Sequence, residues 1–200
     1  MSKNEQMREQ IIGAFPERPI QGCLETFDSP EICLLEDKET QQVNPYPPND
    51  PALNAQKYVS VLNPSQKEIS LLKVDGCMMS STDARRCDAL LFDDKTISFA
   101  EMKLDASKTS QRKKQLVDAI KQLEITIALF DGKFSEKEMD YIGFEKEALV
   151  FHGVQESPRL TADRQVDKDR FLEKYKTNLE FVHNQKDKHG NYKNEWVKIF

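Results

Sequence analysis

The apolar positions along the chain change rhythm near residue 55. Over residues 1 to 43 the rhythm is weak: MREQIIGAF suits a short helix, and PEICLLE a strand or a helical turn. NPYPPNDPALN, residues 44 to 54, holds four prolines without apolar alternation and predicts a linker or an extended wrap. AQKYVSVL fits either state. In NPSQKEISLL, Ser65 and Glu68 stand three apart as in a capping box, which predicts a helix start. LKVDGCMM, RRCDALLFD and TISFAEMKL then predict three strands. A long helix is expected from about 107 to 130. Its stripe of Leu116, Ile120, Leu123, Ile127 and Phe130 steps by four and three, and Gly132 stands where a C-terminal cap belongs. EALVFHG predicts a fourth strand, residues 160 to 176 a charged helix, LEFVHN a fifth strand, and NEWVKIF a short apolar terminus.

This order predicts an α/β fold. A three-strand antiparallel meander, a crossover helix and a further strand would share one mixed central sheet, flanked by helices. The expected organisation is an acidic extension with a proline-rich linker over 1–54, followed by an α/β domain over 55–200. With 200 residues, 38% of them hydrophobic, the chain can bury a sizeable core.

Charge changes the picture in one respect. The net charge of -5 belongs to residues 1 to 62, with ten acids and five bases; the remainder is neutral. A general basic footprint for nucleic acid is absent, but a local basic face is compatible with these numbers. No apolar run suits a membrane span, and MSKNEQMREQ lacks a signal-peptide core, so a cytoplasmic protein is expected. Cys23, Cys33, Cys77 and Cys87 do not follow a zinc-knuckle spacing, and reduced, buried thiols are the expectation.

The chemistry concentrates in RCDALLFDDKTISFAEMK, residues 86 to 103. Alternation puts Asp88, Leu90 and Phe92 on one face of the second strand, and Ile97, Phe99, Glu101 and Lys103 on one face of the third. A two-residue turn at Asp94 and Lys95 makes opposed residue numbers sum to 189, and Asp88 then opposes Glu101. Opposed carboxylates repel, and a hard divalent cation between them removes the repulsion. Lys103, one pleat along, is placed to orient a water or to stabilise charge on a phosphate.

An acid on one strand, a second strand ending in Glu-x-Lys, and a long helix with a glutamine together resemble the PD-(D/E)XK nuclease superfamily. The resemblance covers roughly residues 64 to 152. It implies a restriction-endonuclease-like core and a magnesium-dependent phosphodiesterase, with manganese as the alternative ion. The substrate would be nucleic acid, DNA before RNA, cleaved to a 5′-phosphate and a 3′-hydroxyl. The resemblance further implies that Asp88, Glu101 and the Met102 backbone carbonyl hold the metal and that Lys103 assists the water. A helix glutamine would steady Lys103 or the substrate, Gln122 first and Gln115 second. Glu68 stands for a glutamate carried by the first core helix. The proline that usually precedes the first acid is absent; Cys87 takes its place.

Lys108, Arg112 and Lys113, around the start of the long helix, are candidates for phosphate contacts. Asp75 in KVDGC reads as a turn residue. His152, His183 and His189 are too scattered in sequence for a metal cluster, although His183 alternates with Phe181 in a way that suits a cleft. No glycine-rich phosphate loop and no hydrolase or zinc-protease signature occurs. The competing expectations are a catalytically silent nuclease-fold module recognising a protein partner, and a structural α/β protein with an accidental triad. Homodimerisation fits either of the first two readings.

Overall fold

The structure is a computed structural model that describes residues 1–80, 82–83, 85–104, 109–141, 143–153, 162–184 and 195–200, with the backbone alone at 109–113 and 162–163. The elements are helices α1 (Lys3–Ala14) and α2 (Ile20–Cys23), then strands β1 (Leu24–Phe27), β2 (Glu31–Glu36), β3 (Val43–Tyr46), β4 (Tyr58–Leu62), β5 (Ile69–Lys73), β6 (Ala89–Phe92) and β7 (Thr96–Lys103). Helix α3 (Thr109–Glu136), β8 (Glu145–His152), α4 (Ala162–Tyr175), β9 (Asn178–His183) and β10 (Glu195–Ile199) complete the order.

Two mixed sheets result. The larger runs β1-β5-β6-β7-β8-β9, antiparallel as far as β7 and parallel from β7 to β9; the smaller runs β10-β4-β2-β3. The meander is β5-β6-β7, with its first strand at Ile69–Lys73 rather than across LKVDGCMM, and the expected crossover is β7-α3-β8. The central strands read as almost unbroken apolar runs because both of their faces are covered. Leu72, Leu90, Phe99 and Val150 pack beneath α1, α3 and α4, against Ile11, Leu123, Phe130 and Phe171. Leu71, Leu91, Leu149 and Phe151 pack on the smaller sheet, against Leu34, Val59, Val61 and Trp196. The layers are therefore helices, sheet and sheet.

Several expectations need correction. NPSQKEISLL does not start a helix. Ile69–Lys73 is β5, buried on both faces, and the next residues turn away at Gly76 with φ 70°. Burial of ISLL between two layers outweighs one local capping pattern. Residues 1–54 are not a separate extension. They supply β1 to one sheet and β2 and β3 to the other, and Met7, Ile11 and Phe15 to the main core. The proline-rich run contains β3; Pro45 is tolerated because β3 is an outer strand. Helix α3 continues past Gly132 to Glu136, and ends where Glu138 takes φ 55° and the Met139 N–H returns to the Phe134 carbonyl at 2.8 Å. Cys23 and Cys77 form a disulfide, with Cα atoms 5.6 Å apart, whereas Cys33 and Cys87 are free and buried. Among the described residues no helix is long and apolar enough to cross a membrane.

Candidate functional site

The expected register of the hairpin holds. Ala89 pairs with Ala100, Leu90 with Phe99, Leu91 with Ser98 and Phe92 with Ile97, each pair summing to 189. Asp-Asp-Lys is a poor tight turn by composition, and side chains make it work. Asp93 Oδ1 accepts the N–H groups of Lys95 and Thr96 at 2.8 and 2.7 Å, and Asp94 Oδ1 accepts the Asn4 N–H at 2.7 Å. Lys67 forms an ion pair with the buried Asp93.

The ladder stops at Ala89 and Ala100, one pair short of the two acids. Beyond it the Asp88 N–H reaches the Ala100 carbonyl at 3.0 Å, and the Asp88 carboxylate, through Oδ2, takes the Met102 N–H at 2.5 Å. Asp88 thus replaces a backbone acceptor with its side chain. Helix α3 holds the segment in front of it: Gln122 Nε2 donates to the Arg86 carbonyl at 2.9 Å, and Thr126 Oγ1 accepts the Cys87 N–H at 2.8 Å. Arg86 in turn binds Asp75, with Nε 2.9 Å from Oδ1. Asp75 is therefore an ion-pair partner as well as a turn residue, and its charge adds to the field on Asp88.

Glu101 is fully buried. Its Oε1 forms an ion pair with Lys103, and its Oε2 has no hydrogen-bond partner. Burial pushes the Asp88 carboxyl up to about 7, with Lys103 pulling it down and Glu36 pushing it further up. Burial, and then the charge of Asp88, holds Glu101 well above the usual carboxylate range. Burial draws Lys103 down, but Glu101 and Asp88 outweigh it and keep the ammonium above its ordinary value. Lys103 is therefore protonated at neutral pH. Without a cation both carboxyl groups therefore favour their protonated forms, and ionising the pair costs folding stability.

Glu36, at the end of β2, is the participant that sequence reasoning missed. Its charge acts on Asp88, Glu101 and Lys103 together. A cavity of about 200 Å³ lies beside Lys103, lined also by Glu36, Met102, Lys57 and Gln115. Only the packing of the smaller sheet on the larger brings β2 here, so the local signal was no more than an acid closing an apolar run. Of the two candidate glutamines, Gln115, the second choice, is the one that reaches this cavity, and its Oε1 is buried without a partner. Gln122 does not touch Lys103; it clamps the backbone that leads to Asp88. Glu68 is not on a helix and not at the site. It precedes β5, bonds Arg8, and lies at the turn end of the meander, opposite the end that carries Asp88. Lys108 and the side chains of Arg112 and Lys113 lie outside the described residues, as does His189.

The parallel pairing of β7, β8 and β9 adds a row. Lys103 pairs with His152, and His152 with His183, at the C-terminal ends of three strands. The row faces the helices, since two residues back, on the same face, Glu101 aligns with Val150 and Phe181, which belong to the helix-side core. The two imidazole rings meet edge to face, 4.2 Å between centroids. His152 is buried at the end of β8. Trp196 Nε1 donates to its carbonyl at 2.7 Å and fixes this end of β8.

The residues suit a small hard cation in their donor chemistry. Two buried carboxyl groups lie close enough for the charge of Asp88 to act on Glu101, one oxygen of Glu101 is unsatisfied, and magnesium commonly takes one or two carboxylates and completes its shell with water. Among the described residues no group of three or more His, Cys, Asp or Glu side chains is placed to hold a metal unaided. No protein-family model, curated protein or solved structure matches this chain.

Proposed function

We propose that the chain is a metal-dependent phosphodiesterase of nucleic acid, DNA before RNA, built on a restriction-endonuclease-like core. The observation that carries this reading is the meeting of buried Asp88 and Glu101 at the open end of the β6–β7 ladder, with Lys103 bonded to Glu101. Asp88, Glu101 and the Met102 carbonyl would hold magnesium, or manganese in its place, and the ion would supply Lewis acidity toward a phosphoryl oxygen and an acidified water. Lys103 enters as an ammonium, so its part is to orient the attacking water and to stabilise charge growing on the phosphate rather than to act as a base. Gln115 offers an amide to water or phosphate from the cavity wall. Gln122 and Thr126 are positioning residues, because they act on Asp88 through the backbone of Arg86 and Cys87.

Calorimetric titration with magnesium and manganese, beside cleavage of single- and double-stranded DNA and RNA, tests the reading. Asp88→Asn and Glu101→Gln are expected to abolish both metal uptake and cleavage. Lys103→Met is expected to abolish cleavage and to retain metal uptake. Cleavage that survives either carboxylate substitution would overturn the assignment.

One observation favours a catalytically silent binding module: Lys103 already takes one of the Glu101 oxygens. Under that reading magnesium binds neither the free protein nor its complex with a DNA duplex.

A further inference from the structure

Arg164 stands apart from the other arginines whose side chains are described. Arg8, Arg18, Arg85, Arg86 and Arg170 each lie within ion-pair distance of a carboxylate. Arg164 is half-buried at the start of α4 and has no carboxylate partner among the described residues; its guanidinium lies over the Phe181 ring, 5.0 Å from the centroid. Burial holds it below the usual arginine value. A partly desolvated cation whose partner among the described residues is a ring face costs folding free energy unless an anion completes it. Two residues after Phe181 comes His183, whose Nδ1 is buried without a hydrogen-bond partner. Burial, and then the charge of Arg164, keeps His183 below its ordinary value. Cation and imidazole therefore lie near each other around Phe181, and among the described residues Arg164 has no carboxylate partner.

The row runs on from there. His183 pairs with His152 and His152 with Lys103, on neighbouring parallel strands roughly 5 Å apart. Donors from β7, β8, β9 and α4 thus lie side by side at the C-terminal ends of parallel strands, a common place for ligands in open α/β sheets. Glu101, on the same strand as Lys103, is paired with it.

We propose that Arg164, His183 and His152 form a phosphate subsite that continues the row from Lys103 and holds the nucleic-acid phosphate next to the one attacked. The proposal rests on the phosphodiesterase reading for the identity of the ligand. The chemistry is that of charge-assisted hydrogen bonds from a guanidinium and imidazoles to phosphate oxygens, which would give the Arg164 cation a counter-charge.

The test uses the full chain without metal. Inorganic phosphate is titrated while the imidazole signals of the three histidines are followed by NMR, with assignments from His152→Asn and His183→Asn. Saturable shifts are expected for His152 and His183. Arg164→Met should weaken the response at least tenfold. Arg164→Lys, which retains the charge, should bind more tightly than Arg164→Met and controls for a folding defect. A single-stranded oligonucleotide is the second arm, in which Arg164→Met should lower the slope of log affinity against log salt by about 0.7. Unmoved histidine signals, or an equal response in Arg164→Met, overturn the subsite. A phosphate response with an unchanged salt slope overturns its assignment to the nucleic-acid backbone. Failure of the phosphodiesterase reading shows separately, in the metal and cleavage experiments on Asp88→Asn.

Discussion

Asp88→Asn is expected to stabilise the folded chain in the absence of metal, by an amount that grows with pH. An aspartate in an unfolded chain titrates near 3.9, whereas Asp88 is pushed up to about 7. A raised carboxyl pKa means that the folded state binds the proton more tightly. Stability is therefore greatest below about pH 4, is lost as pH rises from there through about 7, and is level above that. Three units at about 1.4 kcal/mol each put the full loss near 4 kcal/mol. Asparagine has the shape of the protonated acid and cannot ionise, and its carbonyl oxygen can still accept the Met102 N–H. The variant should match wild type at pH 4 and exceed it at pH 8 by up to about 4 kcal/mol, or roughly 10 °C in melting temperature for a chain of this size. The assay is thermal melting from pH 4 to 8.5 in the presence of chelator, followed through circular dichroism and the emission of Trp196, the single tryptophan, which is buried. Excess magnesium should then raise the wild type and leave the variant where it was, because a cation stabilises the ionised pair. A difference that is constant across pH, or a variant less stable than wild type at pH 8, would refute the reasoning.

Gln122→Leu and Thr126→Val should each cost about 1–3 kcal/mol in denaturant melts, since each strands a buried backbone group, and both should weaken magnesium uptake without touching the ion. Reduction of the Cys23–Cys77 bond, or Cys77→Ser, should cost about 4 kcal/mol by loop closure over a separation of 54 residues; equal melting with and without reductant would refute the bond's contribution. Gly76→Ala should destabilise by about 1–3 kcal/mol, because Gly76 has φ 70° and its added Cβ would meet the Thr40 carbonyl. Cys87 should resist alkylation in the folded protein at pH 8, since burial and then the charges of Glu101 and Asp88 hold its thiol well above the usual range. Rapid labelling at that pH would contradict it.

The hairpin was legible because its information is local. A two-residue loop sets the register, and alternation then places the side chains from Ala89 to Phe92 against Ile97 to Ala100. The apolar stripe of α3 was legible for the same reason. What was not legible depends on partners distant in the chain. β1 has four residues and pairs with β5, while β2 pairs with β4; strands this short carry little periodic signal of their own. Glu36 reaches the site only through that pairing. The Cys23–Cys77 bond requires the loop after β5 to return to α2, a proximity that spacing cannot reveal. Glu68 shows the opposite failure: a capping pattern was present, but burial of the next four residues decided their conformation.

Helix α3 also sets a phase. Gln115 at the cavity, Gln122 on the Arg86 carbonyl and Thr126 on the Cys87 N–H are seven and four residues apart, two turns and then one. Inserting one residue between Gln115 and Gln122 would swing the cavity amide about 100° around the axis, away from Lys103, while the clamp on Asp88 stayed in place. Inserting seven would return it to nearly the same bearing but about 10 Å further along. The helix therefore tolerates change in its solvent-facing side chains and almost none in its residue count over this stretch.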